Sequence, residues 1–233
     1  AELRECAEAI RSYIAGGDVM IGEQVSTMRW IEPGQVAPVP IDIACTGPKT
    51  IRLAADIADR VSFAVGSAPE RVQWALDTLD ARLAETGRSR DELSVGAYVN
   101  LLCDPDEGRA IDLARTIAGL VAHFTGMKHA PVDHLPPELK PLAVKLKTEY
   151  DMKHHNQAAG SHLAFVDDDF VDWFAIAGPA QKCIDKLATQ IEKGLDHIYV
   201  LGGSPVQHPH GEFVTGFVNQ TEHFAADVLP HFR

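Results

Sequence analysis

The stretch Ile41-Asp42-Ile43-Ala44-Cys45-Thr46-Gly47-Pro48-Lys49 decides how the chain is read. Its first four residues spell a short strand, and Pro48 stands where a helix can begin without needing its own N–H. Apolar Ile51, Leu53, Ala54, Ile57 and Ala58 follow at helical spacing, so the segment is a βα unit. The pattern recurs immediately downstream. Val61 to Val65 reads as a second strand, Ser67-Ala68-Pro69-Glu70 as a capping box with proline in the first turn, and Val72, Ala75, Leu76, Leu79 and Leu83 as the buried stripe of the next helix.

A third strand, Leu93 to Leu102, leads into Asp104-Pro105-Asp106-Glu107, whose carboxylates favour a helix start, and the helix runs to about Phe124. An insertion over 126–175 carries prolines and the acidic run Asp167-Asp168-Asp169, and it is expected to hold two or three irregular helices. Regular alternation resumes with a helix from Pro179 to Lys193, a strand His197-Ile198-Tyr199-Val200-Leu201, and a last amphipathic helix from Phe213 to about Leu229. In the other direction, Ala1 to Ile14 reads as a helix already under way, so a preceding portion of chain is expected. Gly16-Gly17 stops it, and the residues up to Pro40, with prolines at 33, 38 and 40, read as an irregular excursion. Nearly apolar strands separated by helices predict an α/β fold with a parallel sheet covered on both faces, in one domain spanning 1–233.

Composition narrows the function classes. With 233 residues, 45% of them hydrophobic, the chain can bury a sizeable core. A formal charge of −12 argues against nucleic-acid or anionic-membrane partners, which need a basic surface. No run of about 18 apolar residues is present to span a bilayer. Cys6, Cys45, Cys103 and Cys183 form no C-x-x-C pair and sit in apolar stretches, which suits free thiols in a cytoplasmic protein.

Ligands of a parallel sheet gather at the C-terminal ends of its strands, where helix N-termini present free N–H groups. Thr46-Gly47-Pro48-Lys49 offers a hydroxyl, a glycine, a helix start and a lysine. Val65-Gly66-Ser67 offers a glycine and a serine on the neighbouring strand, and the two loops together could hold one phosphate. The alternative is that Thr46 and Ser67 only cap their helices and the glycines only permit turns. G-x-G-x-x-G and Walker-type lysine motifs are absent. His123, His129, His134, His154, His155, His162, His208 and His210 lack metal-ligand spacing and read as scattered surface histidines, so no metal is expected. One of them, or Glu149-Tyr150, is a candidate for the substrate pocket. Trp74 reads as core.

Around these residues a resemblance appears. The run from Ile41 to Lys49, with Leu53-Ala54 and Ile57-Ala58-Asp59-Arg60-Val61, resembles the segment of luciferase-like flavin or deazaflavin oxidoreductases that contains a GP loop and an AD-G-V strand. In this chain Arg60 takes the place of that glycine. Pro69-Glu70-Arg71, Glu85-Thr86-Gly87-Arg88, Val95 to Asn100, and Phe174 to Gly178 through Gly194-Leu195-Asp196 match the family in order. The resemblance implies strands five to eight of a (β/α)8 TIM barrel. It assigns the cofactor phosphate to Cys45, Thr46, Gly47, Pro48 and Lys49, with Val65, Gly66 and Ser67 lining the same pocket. It points to the branch using coenzyme F420, with FMN as the alternative, and to hydride transfer with a small organic substrate. The family's first four strands, which carry most of its catalytic acids and histidines, have no counterpart in the matched segments, so no catalytic residue is assigned. The missing N-terminal half, expected to precede this segment on a longer chain or else to be supplied by a second chain, would complete the barrel, and a homo-oligomer or association with that half is expected. The competing readings are a shortened barrel that binds the cofactor without turnover, and an unrelated phosphate-binding barrel enzyme.

Overall fold

The computed structural model describes residues 2–125, 135–151, 153, 163, 165–202 and 220–232. Helix α1 (Glu2–Ile14) ends at Gly16, whose φ of 79° suits glycine, and leads into an antiparallel hairpin of β1 (Asp18–Ile21) and β2 (Gln24–Thr27). This hairpin replaces part of the excursion expected to be irregular up to Pro40. The prolines all lie beyond Thr27, and Gly22, at φ 62°, supplies the positive φ that a two-residue hairpin turn needs.

Three βα steps follow. β3 (Asp42–Cys45) precedes α2 (Pro48–Ile57), β4 (Arg60–Phe63) precedes α3 (Pro69–Thr86), and β5 (Ser94–Cys103) precedes α4 (Glu107–Thr125). β3, β4 and β5 pair parallel in sequence order, with Cys45 opposite Phe63 and Phe63 opposite Ala97. Beyond α5 (Lys140–Glu149) and α6 (Asp168–Phe174) come β6 (Ile176–Gly178), α7 (Ala180–Glu192) and β7 (His197–Leu201). Both later strands pair parallel with β5, β7 along Gly96–Asn100 and β6 along Leu101–Cys103. The molecule is therefore α/β with a parallel sheet. β6 is not among the strands read from the sequence, because three residues carry no usable periodicity. Of the last helix, residues before 220 lie outside the described part. From there a helical turn passes into a π-helix, Phe224–Val228, and a 3₁₀ turn, Leu229–Phe232.

The sheet is not apolar on both faces. Odd-numbered residues of β3, β4 and β5, among them Ile43, Val61, Phe63, Val95 and Ala97, pack against Ile51, Ala54, Leu76, Leu79 and Leu187 from α2, α3 and α7 in the main core. Even-numbered residues carry polar groups, and Asp42 and Ala44 are exposed on this open face. A second core gathers Leu102 with Ala110, Ala114, Ala118, Leu146, Phe170 and Phe174, and so fastens α4, α5 and α6 to the upper end of β5. Asp167 caps α6 by accepting from the Phe170 N–H at 2.8 Å. Three cysteines are buried, whereas Cys6 is exposed on α1, contrary to the expectation that every thiol packs as a small hydrophobe. No helix among the described residues is long and apolar enough to cross a membrane.

Candidate functional site

The turn between β3 and α2 stands open. Gly47 is the N-cap of α2 and no side chain caps the helix, so Thr46 does not play the capping role left open for it. Pro48 at the first helical position contributes no N–H, leaving the Lys49 and Thr50 amides as the first-turn donors. Among the described residues a Cβ placed on Gly47 would meet nothing within 4 Å, and Thr46 and Lys49 are exposed. Cys45 differs from its neighbours. Its side chain is fully buried in the main core and donates to the Ile43 carbonyl at 3.3 Å. Burial, reinforced by the charge of Asp42, pushes its thiol up to about 12. Its backbone is buried as well, with the carbonyl accepting from the Ala64 N–H at 2.8 Å, so Cys45 presents no surface to the turn.

The turn between β4 and α3 is packed. Val65, Gly66 and Ser67 are all buried. Gly66 has φ 85°, and a Cβ there would lie 2.6 Å from two ring atoms of Phe174. The Ser67 N–H donates to the Phe174 carbonyl at 2.7 Å, and the Ser67 carbonyl accepts from Gln190 Nε2 at 2.7 Å. Arg71 Nε donates to the Val65 carbonyl at 2.6 Å, with its guanidinium 5.9 Å from the Phe174 ring centre, and burial lowers its pKa to about 10. The capping box expected at Ser67 is absent. Ala68 is the N-cap of α3 and no side chain caps it, because Pro69 takes the first helical position and moves the start one residue on. The capping box of this region is at Ser89 and Glu92 instead.

At the end of β5 the carboxylate of Asp104 is buried, with 1% of its side chain exposed. It accepts from Arg109 Nε and Nη2 at 2.8 and 2.7 Å, from the Asp106 N–H at 2.8 Å and from Gln220 Nε2 at 3.2 Å. Burial alone would raise its pKa, but the Arg109 guanidinium and the Asp106 N–H overcome that and hold it below the usual carboxylate value.

Sequence reading missed the open face of the sheet. Ser62 Oγ lies 2.9 and 2.8 Å from the two Asp42 oxygens and 3.2 Å from His197 Nε2, and Ser94 Oγ lies 3.1 Å from His197 Nδ1. Ser62 has one proton, which goes to Asp42, so His197 Nε2–H donates to Ser62 and Nδ1 accepts from Ser94. A chain of hydrogen bonds thus crosses β3, β4, β5 and β7 near their N-terminal ends. Gly96 makes room for it, since a Cβ there would lie 2.2 Å from the His197 carbonyl oxygen and 2.4 Å from its ring. Above it, Tyr98 and Tyr199 stack at 5.1 Å, and Arg60 Nη1 donates to Tyr199 Oη at 2.9 Å. The missed signal was a period-two alternation, Ser94, Gly96, Tyr98 and Asn100 on β5 and His197 and Tyr199 on β7, within strands that look apolar overall.

Of the histidines read as surface residues, His123 is part of the packing, stacked on Tyr150 at 4.1 Å with Nδ1 3.0 Å from the Leu146 carbonyl. Tyr150 is buried in the second core. His129, His134, His154, His155, His162, His208 and His210 lie outside the described residues. Among the described residues no group of three or more His, Cys, Asp or Glu side chains is placed to hold a metal. Trp74 packs against the main core, as expected.

Known proteins are similar to this chain in sequence and in fold. The 5,10-methylenetetrahydromethanopterin reductase of Methanopyrus kandleri is 27% identical over 246 residues, covering 99% of this chain and 62% of the reductase. An F420-dependent glucose-6-phosphate dehydrogenase of Intrasporangium calvum is 26% identical over 199 residues, covering 84% of this chain and 49% of that enzyme. Among solved structures, the coenzyme F420-dependent tetrahydromethanopterin reductase from Methanopyrus kandleri aligns with a TM-score of 0.63 at 23% identity, over 99% of this chain and 63% of that one. An F420-dependent secondary alcohol dehydrogenase aligns with a TM-score of 0.64 at 17% identity, over 99% and 61%. The chain thus spans about three-fifths or less of the length of these proteins. The profile of the luciferase-like monooxygenases matches residues 1–197, and the chain belongs to that family.

Proposed function

We propose that this chain is the cofactor-anchoring portion, strands five to eight of a (β/α)8 barrel, of an oxidoreductase that uses coenzyme F420, with FMN as the alternative cofactor. The reaction is hydride transfer with a small organic substrate. In this reading the domain spans 1–233, and the 126–175 insertion, of which 126–134, 152, 154–162 and 164 lie outside the described residues, is assigned the role of excluding water from the cofactor.

One observation carries the proposal: the uncapped start of α2, with open space over Gly47 and Lys49 exposed beside it. Free N–H groups at a helix N-terminus, the positive end of its dipole and a nearby ammonium suit a phosphate. A side chain at Gly47 would occupy the space an anion needs. Thr46 supplies a hydroxyl, and Pro48 supplies backbone. Val65, Gly66 and Ser67, backed by Phe174 and Arg71, form the wall on the neighbouring strand. When bound, the cofactor supplies the hydride chemistry, and the protein's residues anchor, orient and shield it. Relatives whose names specify F420 support F420 over FMN.

The test is Gly47→Asp in the whole protein. A carboxylate in the open turn opposes phosphate, so F420 binding, followed by titration of its visible absorption, is expected to weaken at least tenfold, about 1.4 kcal/mol. Unchanged binding and activity would overturn the assignment.

A further inference from the structure

The polar residues on the open face of the sheet fall into two groups. Towards the N-terminal ends of the strands, Asp42, Ser62, Ser94 and His197 satisfy one another. Towards the C-terminal ends, where a parallel barrel collects its ligands, stands Asn100 on β5. It lies between Tyr98, half-buried on the same face, and Leu102, packed in the second core, and opposite Leu201 of β7. Asn100 is 2% exposed, and its side-chain amide makes no hydrogen bond among the described residues. Both amide atoms nevertheless keep some accessible surface, unlike the sealed Ser67 Oγ and Gln190 Oε1.

Nothing in the described fold uses this amide. A leucine would fill the same volume beside Leu102 and Leu201 without the penalty that a buried, unpaired amide carries. Its place relative to the β3–α2 turn shows what could complete its hydrogen bonds. Cys45 faces Phe63 and Phe63 faces Ala97, so one residue further on Thr46, Ala64 and Tyr98 share a row. Asn100 therefore lies two strands across from Thr46, roughly 10 Å, and two residues, about 7 Å, further towards the C-terminal end. A molecule anchored by its phosphate at the turn and extending over the strand ends passes this point.

We infer that the Asn100 amide hydrogen-bonds to an oxygen on the rim of the cofactor's tricyclic ring. The inference rests on the reading of the chain as the anchor of a flavin-type cofactor. Nδ2 donates to the ring oxygen, and Oδ1 is available to accept from a ring N–H. Two parts of the ring offer such an oxygen: the pyrimidinedione carbonyls, which F420 and FMN share, and the ring hydroxyl that F420 carries where FMN has a methyl group.

The test is titration of the whole protein with F420 and, separately, with FMN at pH 7.5, following the visible absorption of each. Asn100→Leu, which keeps the bulk and removes the amide, is expected to weaken F420 binding at least tenfold. Its denaturant midpoint is expected to be equal to that of the wild type or higher, because the unpaired amide is gone. Equal weakening of FMN assigns the contact to the pyrimidinedione, and unchanged FMN affinity assigns it to the ring hydroxyl. Asn100→Asp serves should the leucine variant not fold. It replaces the donor with a carboxylate oxygen, so F420 binding is expected to fall at least tenfold at pH 7.5 and to recover as the pH is lowered and the carboxyl gains a proton to donate. Wild-type affinity for both cofactors in Asn100→Leu, with or without a lower midpoint, overturns the inference, as does wild-type affinity of Asn100→Asp at pH 7.5. Those results leave the phosphate anchor standing, whereas a wild-type protein that binds neither cofactor removes the anchor and the Asn100 contact together.

Discussion

The turns after β3 and β4 look like twins in the sequence, each a strand end, a glycine and a proline-initiated helix, yet the structure treats them oppositely. The first keeps open space over Gly47, uncapped amides and an exposed lysine. The second is buried beneath Phe174, with its Ser67 N–H spent on the Phe174 carbonyl and its Val65 carbonyl held by Arg71. The difference lies in what arrives from elsewhere in the chain. α6 and β6 return over the second turn, while among the described residues nothing returns over the first. Glycine serves two purposes accordingly. At 66 it permits φ 85° and the close approach of a ring, and at 47, with an extended backbone at φ −158°, it leaves space.

The largest expected effects fall on the packed turn. Phe174→Ala removes a fully buried ring and is expected to cost about 3–5 kcal/mol. Gly66→Ala combines left-handed backbone strain of about 1–2 kcal/mol with a clash against the ring. Denaturant unfolding of both single variants and the double variant tests whether they share one cause. Removing the ring relieves the clash, so the double variant is expected to cost less than the sum of the singles by about 1 kcal/mol or more. Strict additivity would mean that Phe174 does not close this turn, and the contrast between the two loops would fail.

Much of the frame is legible in sequence for physical reasons. Strands β3, β4, β5 and β7 appear within a residue or two of their expected bounds, because apolar runs between proline-led helices have few other ways to bury themselves. Hairpin β1–β2 and strand β6 escaped, being four and three residues long and paired by contacts that no local pattern announces. The site was legible in part. Thr46 to Lys49 is open for the local reason seen in sequence, a glycine and a proline at a helix start. The burial of Gly66 and Ser67 depends on Phe174, more than a hundred residues away, and the inward turn of the Cys45 thiol depends on the parity of β3. The Asp42–Ser62–His197–Ser94 chain was hidden by strands that looked apolar on average.

That chain ties together the N-terminal ends of the strands whose other ends carry the two turns, and it responds to pH. Burial lowers the His197 pKa, with the charge of Arg60 adding to it, while Asp42 and Asp196 oppose. Tyr98, whose own pKa burial raises, also faces this region. Since the folded value lies below the ordinary 6.5, the neutral ring's contribution is complete above that pH and is lost as pH falls through the folded value. The stability advantage of wild type over His197→Gln is therefore expected to shrink as denaturant midpoints are compared from pH 7.5 down to 5.5. A constant advantage would show that folding does not shift the ring's pKa, and a growing one that the fold favours its charged form.

The smallest effect addresses the open turn most directly. Gly47→Ser puts a hydroxyl at an N-cap that has none, and serine there is favoured over glycine by a few tenths of a kcal/mol. The new oxygen accepts from a first-turn N–H, the group a phosphate would need. Stability and ligand binding should therefore move in opposite directions, with the unfolding midpoint slightly up and F420 affinity down. The same outcome would be meaningless at Gly66, where any side chain meets Phe174 first. If Gly47→Ser gained stability and kept full affinity, the amides at the start of α2 would not be what holds the phosphate, and the openness of this turn would need another explanation.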